Sequence, residues 1–196
     1  MGDELGHGVF AQGNAELGAP RIAGLDAQYL GRQLADFRDR RRGSGAGDTF
    51  GAQMVTIASM LDDTTIGRLA AFVSAMPEVQ VSTSIGGDGK AGQATYTTCA
   101  ACHGVNGEGS VSLGAPRLAG MTDSYLARQF AAYASGTRGS AAGDDRGAAM
   151  RGITAGVKGD KAVRDVISYA VSLPGPATMS ATACADQPAG TCGSSR

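Results

Sequence analysis

Shifted by 96 residues, the chain aligns with itself. From His7 to Met54 against His103 to Met150 no gap is needed, and about half of the 48 paired positions are identical. Chance at this composition would give a handful, so the chain carries two copies of one unit. Gly18-Ala19-Pro20-Arg21-Ile22-Ala23-Gly24 answers to Gly114-Ala115-Pro116-Arg117-Leu118-Ala119-Gly120, and Tyr29-Leu30 with Arg32-Gln33 answers to Tyr125-Leu126 with Arg128-Gln129. After one extra residue in the second copy, both close alike, at Met76-Pro77 and Leu173-Pro174.

Each copy reads as a small helical unit. In the second, Asp123 or Ser124 is placed to cap a helix whose Leu126, Phe130 and Tyr133 recur at intervals of four and three, and Gly136 to stop it. A closing helix starts near Asp160 and repeats Val163, Val166, Ile167, Ala170 and Val171 on one face before Pro174. The first copy repeats this with Asp63 or Thr64 as cap and Ile66, Leu69, Ala70 and Val73 as the face. No period-two stretch stands out, so the fold class is all-α. The polar, turn-rich segment after Pro77 reads as a linker, which divides the chain into a first domain over 1–77, a linker over 78–91, a second domain over 92–174 and a tail over 175–196.

Charge removes one class of partner. With 17 Lys and Arg against 18 Asp and Glu, the chain lacks the basic excess of a nucleic-acid binder. No run of 18 apolar residues occurs, so no transmembrane segment is read here.

The two copies differ most where the chemistry is. The second opens with Cys99-Ala100-Ala101-Cys102-His103. Two thiols three residues apart on a helical turn reach the two vinyl groups of one haem, and the next residue then offers its imidazole to the iron. A C-x-x-C redox pair, or half of a zinc site completed by Cys184 and Cys192, are the competing readings. A redox pair would want a strand before the motif, yet Gly92 to Tyr96 reads as helix. A zinc site would depend on a tail with no pattern to position it. The sixth iron ligand of an electron-transfer haem is commonly a Met thioether. Met150 is favoured, in what reads as a Gly/Ala-rich loop before the last helix, over Met121, which reads as core, and Met179, which lies in the tail.

Thr98-Cys99-Ala100-Ala101-Cys102-His103-Gly104, Ala115-Pro116-Arg117-Leu118-Ala119-Gly120, Tyr125-Leu126, Gln129-Phe130 and the late Met150 together resemble a class I cytochrome c domain. The doubling resembles the tandem cytochromes c of the cytochrome c-four kind, over roughly Gly2 to Pro174. That resemblance implies one covalently attached haem c, with Cys99 and Cys102 as its thioether attachments and His103 and Met150 as iron ligands. It places Pro116 beside His103, and Arg117, Tyr125 and Arg128 near the haem propionates. It also implies an exported, periplasmic electron carrier with redox partner proteins, membrane-peripheral or a subunit of a larger respiratory, photosynthetic or dehydrogenase complex. Because Met1 is followed by Gly2-Asp3-Glu4 and by no leader pattern, an upstream signal or anchor is expected. Two other functions compete. A haem enzyme of the thiosulfate-oxidising or peroxidase kind needs an open sixth position, against which Met150 argues; an assembly subunit docks through its first copy.

In that first copy Asp3 and Gly6 stand where the two cysteines should be, so covalent attachment is lost while His7 and Met54 remain. Leu5, Phe10 and Phe50 replace Ala101, Asn106 and Arg146, and this added apolar bulk is expected to fill the vacated pocket. Arg38-Asp39-Arg40-Arg41-Arg42 is the one dense basic run, read as a solvated loop or as an anchoring patch for an acidic partner. Cys184 and Cys192 are expected to form a disulfide in an oxidising compartment, worth about 2.6 kcal/mol in the chain-entropy estimate.

Overall fold

The computed structural model describes residues 6–78 and 85–175. Seven helices run in the order α1 (Ala27–Arg38), α2 (Thr49–Ala58), α3 (Asp63–Ser74), α4 (Gly89–His103), α5 (Asp123–Ser135), α6 (Asp145–Thr154) and α7 (Asp160–Ser172). Helices α5, α6 and α7 repeat α1, α2 and α3, and α4 precedes the second set. Among the described residues there is no strand. Isolated antiparallel bridges, Asn14 with Ala19 and Ser110 with Ala115, pin the same loop in each copy.

Aspartates start most of these helices. Asp26, Asp48 and Asp62 accept from the backbone N–H groups of Tyr29, Gly51 and Thr65, and Asp88 and Asp144 cap α4 and α6 in the same way. The cap of α3 is therefore one residue earlier than the expected Asp63 or Thr64. At α5 the cap position belongs to Thr122, the repeat equivalent of Asp26, and its side chain makes no capping bond. Asp123 is buried and accepts from the N–H of Ile85 at 2.7 Å, which ties the approach to α4 onto α5. Because α4 begins at Gly89, residues 89–91, expected as linker, form its first turn.

The second copy is organised by α4 lying on α7. Tyr96, Val166, Ile167 and Ala170 are buried together, with Leu126, Phe130, Val163, Val171 and Leu173 packed around them. The crossing is close because Gly92 has no side chain: a Cβ there would sit 2.1 Å from the carbonyl oxygen of Asp165. Tyr96 meets Tyr169 edge-on, with ring centroids 5.3 Å apart, and donates its hydroxyl to the carbonyl of Gly104. A further cluster is shared by the two copies: Leu25, Leu30 and Ala70 from the first bury Met121 of the second, so Met121 is core. Leu69 of α3, expected on the buried face, is 40 % exposed. Its equivalent Val166 lies against α4, and no counterpart of α4 packs on α3 among the described residues.

Gly136 ends α5 in the left-handed conformation at φ 79°, as the sequence suggests. The equivalent residue after α1 is Arg40, which holds φ 59° in spite of its Cβ. A non-glycine residue there carries a cost of about 1–2 kcal/mol. Arg40→Gly is therefore expected to raise stability by about 1 kcal/mol in denaturant unfolding, once the greater entropy of an unfolded glycine is deducted. Gly136→Ala is expected to lower it by a similar amount.

Candidate functional site

Helix α4 delivers Cys99, Cys102 and His103 on its final turn. Cys99 is half-buried against the α4/α7 cluster, and that burial pushes its thiol pKa up, whereas Cys102 is exposed. His103 is buried, and its Nδ1 lies 2.8 Å from the carbonyl oxygen of Pro116. Burial holds this imidazole below its ordinary pKa, against the opposing effect of the carbonyl bond. It is therefore neutral near pH 7, Nδ1–H donates to Pro116, and the Nε2 lone pair is left as a ligand. Gly104, at φ 80°, turns the chain out of the helix, and the N–H of Gly109 returns to the carbonyl of His103 at 2.8 Å. Pro116, expected beside His103, thus acts through its backbone oxygen.

The same device stands in the first copy. His7 Nδ1 lies 2.8 Å from the carbonyl of Pro20, and the N–H of Gly13 returns to the carbonyl of His7 at 2.8 Å. Burial, with the charge of Arg42 adding to it, holds His7 below its ordinary pKa.

Met150 is not in a loop. Asp144 nucleates α6, so the Met sits half-buried on a helix, with Ile153 one turn further along the same side. Met54 occupies the matching place on α2, against Phe37, Val55 and Ala58. Met179, Cys184 and Cys192 lie outside the described residues, as does Leu5. Phe10 and Phe50 do not fill a pocket. Phe10 is 61 % exposed, and Phe50, 40 % exposed, lies over Gly18 with the Arg128 guanidinium 4.4 Å from its ring centre. At the start of α2 the Phe50 ring meets a guanidinium across the seam between the copies instead of turning inward.

That seam holds the other residues singled out in the sequence. Arg21 and Arg117, equivalent and both buried, pair with one carboxylate, Glu78, and each also donates to the carbonyl of Ala119. Burial pushes Arg117 down to about 10, so it is still charged near neutral pH. Arg128 donates to the carbonyl of Gly18, and its equivalent Arg32 donates to that of Gly114 at 3.2 Å. Arg42 and Arg138 each donate to both Gln33 Oε1 and Gln129 Oε1, closing a four-membered ring of side chains about an approximate two-fold axis. Arg42 also donates to the Tyr125 hydroxyl at 3.0 Å. Burial opposes ionisation of Tyr125, but Arg42, Arg138 and Arg128 together draw its pKa below the ordinary value. Gln33, Gln129 and Arg138 were signalled by their identity between the copies. Glu78 had no signal, because it stands in a segment that reads as linker.

The basic run is not a free patch. Arg38 pairs with Asp39 and Asp63, Arg41 with Asp36 and Asp39, and Arg42 turns into the seam. Among the described residues, no three His, Cys, Asp or Glu side chains gather to hold a bare metal ion. No helix among them is long and apolar enough to cross a membrane.

The model of the Cytochrome c family matches residues 89–174, from the start of α4 to the end of α7. Over 86 % of its length the chain superposes on the cytochrome c4 structure of Acidithiobacillus ferrooxidans, covering 96 % of that chain at a TM-score of 0.70 and 28 % identity. This chain belongs to the cytochrome c family, and is cytochrome c4-like. The cytochrome is also 36 % identical over 143 residues to a thiosulfate dehydrogenase electron acceptor of Stutzerimonas stutzeri, a match spanning 67 % of this chain and 62 % of that protein. A thiosulfate dehydrogenase structure from Marichromatium purpuratum superposes with a TM-score of 0.70 at 29 % identity, over 86 % of this chain and 36 % of that one. The match thus covers less than two thirds of the length of the curated relative.

Membership of the family implies a covalently bound haem c, and the donor set of this cytochrome suits one. Two thiols and a neutral imidazole with a free Nε2 leave the same helical turn. Apolar Val105, Val111 and Leu113 stand uncovered on the following loop, which also carries Pro116. Uncovered apolar groups beside such ligands are what a porphyrin face would bury. One consequence concerns the seam alone. Glu78→Gln removes the carboxylate that Arg21 and Arg117 share, and should lower stability by about 2 kcal/mol in denaturant unfolding, the cost of leaving buried charge without its partner.

Proposed function

We propose that this cytochrome is a single-electron carrier, not an enzyme, with one covalent haem c in its second half. The observation that carries this is the last turn of α4, where Cys99, Cys102 and His103 stand together and the Pro116 carbonyl leaves Nε2 of His103 free. Cys99 and Cys102 would make the thioether bonds. His103 and Met150 would be the iron ligands, with the half-buried helical position of Met150 supporting a ligand fixed by its backbone. Haem iron supplies a centre that cycles between two oxidation states, and a thioether ligand raises its potential. Arg117, Tyr125 and Arg128 supply donors and positive charge suited to propionates.

The domains are taken as the two repeat copies, 1–77 and 92–174, joined over 78–91 and followed by a tail, 175–196, in which Cys184 and Cys192 pair. Covalent haem attachment takes place outside the cytoplasm in this family, which supports a periplasmic location. The likeness to thiosulfate dehydrogenase electron acceptors supports a redox enzyme of that kind as the donor, met in a larger complex.

Mass spectrometry of the matured protein should show one covalent haem per chain; two would overturn the reading. Joint replacement Cys99→Ser and Cys102→Ser should abolish the haem-stained band in denaturing gels. Met150→Ala should keep the covalent haem but lower its reduction potential.

A further inference from the structure

We infer that the second half docks its redox partner at a pair of arginines set across the seam, Arg32 from the first half and Arg146 from the second, which together receive an acidic patch of that partner protein. The inference rests on the electron-carrier reading above and adds to it the place and the chemistry of the encounter.

The repeat supplies the comparison. Gly18 and Gly114 are equivalent corners, and each is met by an arginine from the other half: Arg128 donates to the carbonyl of Gly18, and Arg32 to that of Gly114 at 3.2 Å. Each corner is also met by the second residue of a helix in its own half, Phe50 of α2 or Arg146 of α6. A Cβ on Gly18 would strike the Phe50 ring, and a Cβ on Gly114 would strike Arg146, with Nη2 of Arg32 2.9 Å away. The first corner is therefore closed, because the Arg128 guanidinium lies 4.4 Å from the Phe50 ring centre. At the second, a guanidinium stands where that ring would be, and two cations converge on one glycine.

Nothing in the fold offsets this charge. Among the described residues neither Arg32 nor Arg146 pairs with a carboxylate. Asp144 is taken up by the cap of α6, and Asp145 pairs with neither arginine. Arg146 also stands in the first turn of α6, where the positive end of the helix disfavours a cation. It is exposed and Arg32 is half-buried, so the pair is reachable from solvent.

Two guanidiniums side by side suit carboxylates, which they bind through paired N–H donors. Their position suits electron transfer as well. Gly114 ends the stretch on which Val105, Val111 and Leu113 stand uncovered, the surface assigned above to a porphyrin face. An acidic patch held at this corner brings its protein to the rim of the haem. Because one arginine comes from each half, the first half takes part in docking although it lacks the cysteines. Charge at such a rim steers the encounter and is screened by salt.

The test uses the full chain with its covalent haem. Fluorescently labelled hexaglutamate stands for the acidic patch, and its binding is read by polarisation. The reduced protein is then oxidised in stopped flow by ferricyanide, an anion, or by tris(phenanthroline)cobalt(III), a cation. Hexaglutamate should bind saturably at low salt, weaken as salt rises, and slow oxidation by ferricyanide but not by the cobalt complex. Arg146→Phe, which copies the closed corner of the first half, should weaken binding about fivefold, the upper end for an exposed charge pair. Arg32→Gln should act in the same direction, and Arg146→Lys, which keeps the charge, should retain most of the binding. Should Arg32→Gln unsettle the fold, as read by far-UV circular dichroism, the two Arg146 variants carry the test. Absence of saturable binding, binding indifferent to Arg146→Phe, or a reduction potential shifted by Arg146→Phe while binding stays unchanged would overturn the inference. Polarisation is read independently of the haem spectrum, so absence of any redox change in the visible bands would count against the electron-carrier reading alone.

Discussion

The two halves are held in register by buried guanidiniums. Arg21 and Arg117 enter the seam from equivalent loops and share Glu78, while Arg42 and Arg138 close a ring with Gln33 and Gln129. Cations removed from water demand partners with defined geometry, so this seam tolerates little sliding. Arg32 and Arg42 find acceptors in the second half, and Arg128 and Arg138 find them in the first. The loops that carry Arg21 and Arg117 also carry Pro20 and Pro116. Whatever fixes the seam therefore fixes the carbonyls that orient His7 and His103.

Much of this was legible before any coordinates. The repeat gave the pairing of elements, the period of Val163, Val166, Ile167 and Ala170 gave the face of α7, and the cysteine motif placed the site at a helix end. What escaped had identifiable causes. Arg38 to Arg42 read as a basic run because composition counts charges without partners, and the partners Asp36 and Asp63 lie on either side of it in sequence. Met150 read as loop because Gly and Ala flank it, whereas Asp144 supplies a cap that starts a helix through those same residues. Leu69 read as core because helical period alone does not say whether a neighbour is present to cover the face. Phe10 and Phe50 read as plugs from their size, but Phe10, on a loop, faces solvent and Phe50, in the first turn of α2, faces an arginine.

The asymmetry between the copies is narrower than the loss of two cysteines suggests. Thioether bonds keep a haem in place, but they do not create its binding surface. The first half keeps the oriented imidazole, and leaves Val9, Leu17 and Ile57 exposed as the second leaves Val105, Leu113 and Ile153.

His103 ends α4 and His7 stands on a loop, and each is held by the carbonyl of a proline, Pro116 or Pro20, that adjoins a seam arginine, so both imidazoles are tied to the seam common to the two copies. Tyr125, with its pKa drawn down by Arg42, Arg138 and Arg128, marks where the electrostatics of the halves meet. The seam is accordingly a structural joint and also the place where the charges of the two halves meet.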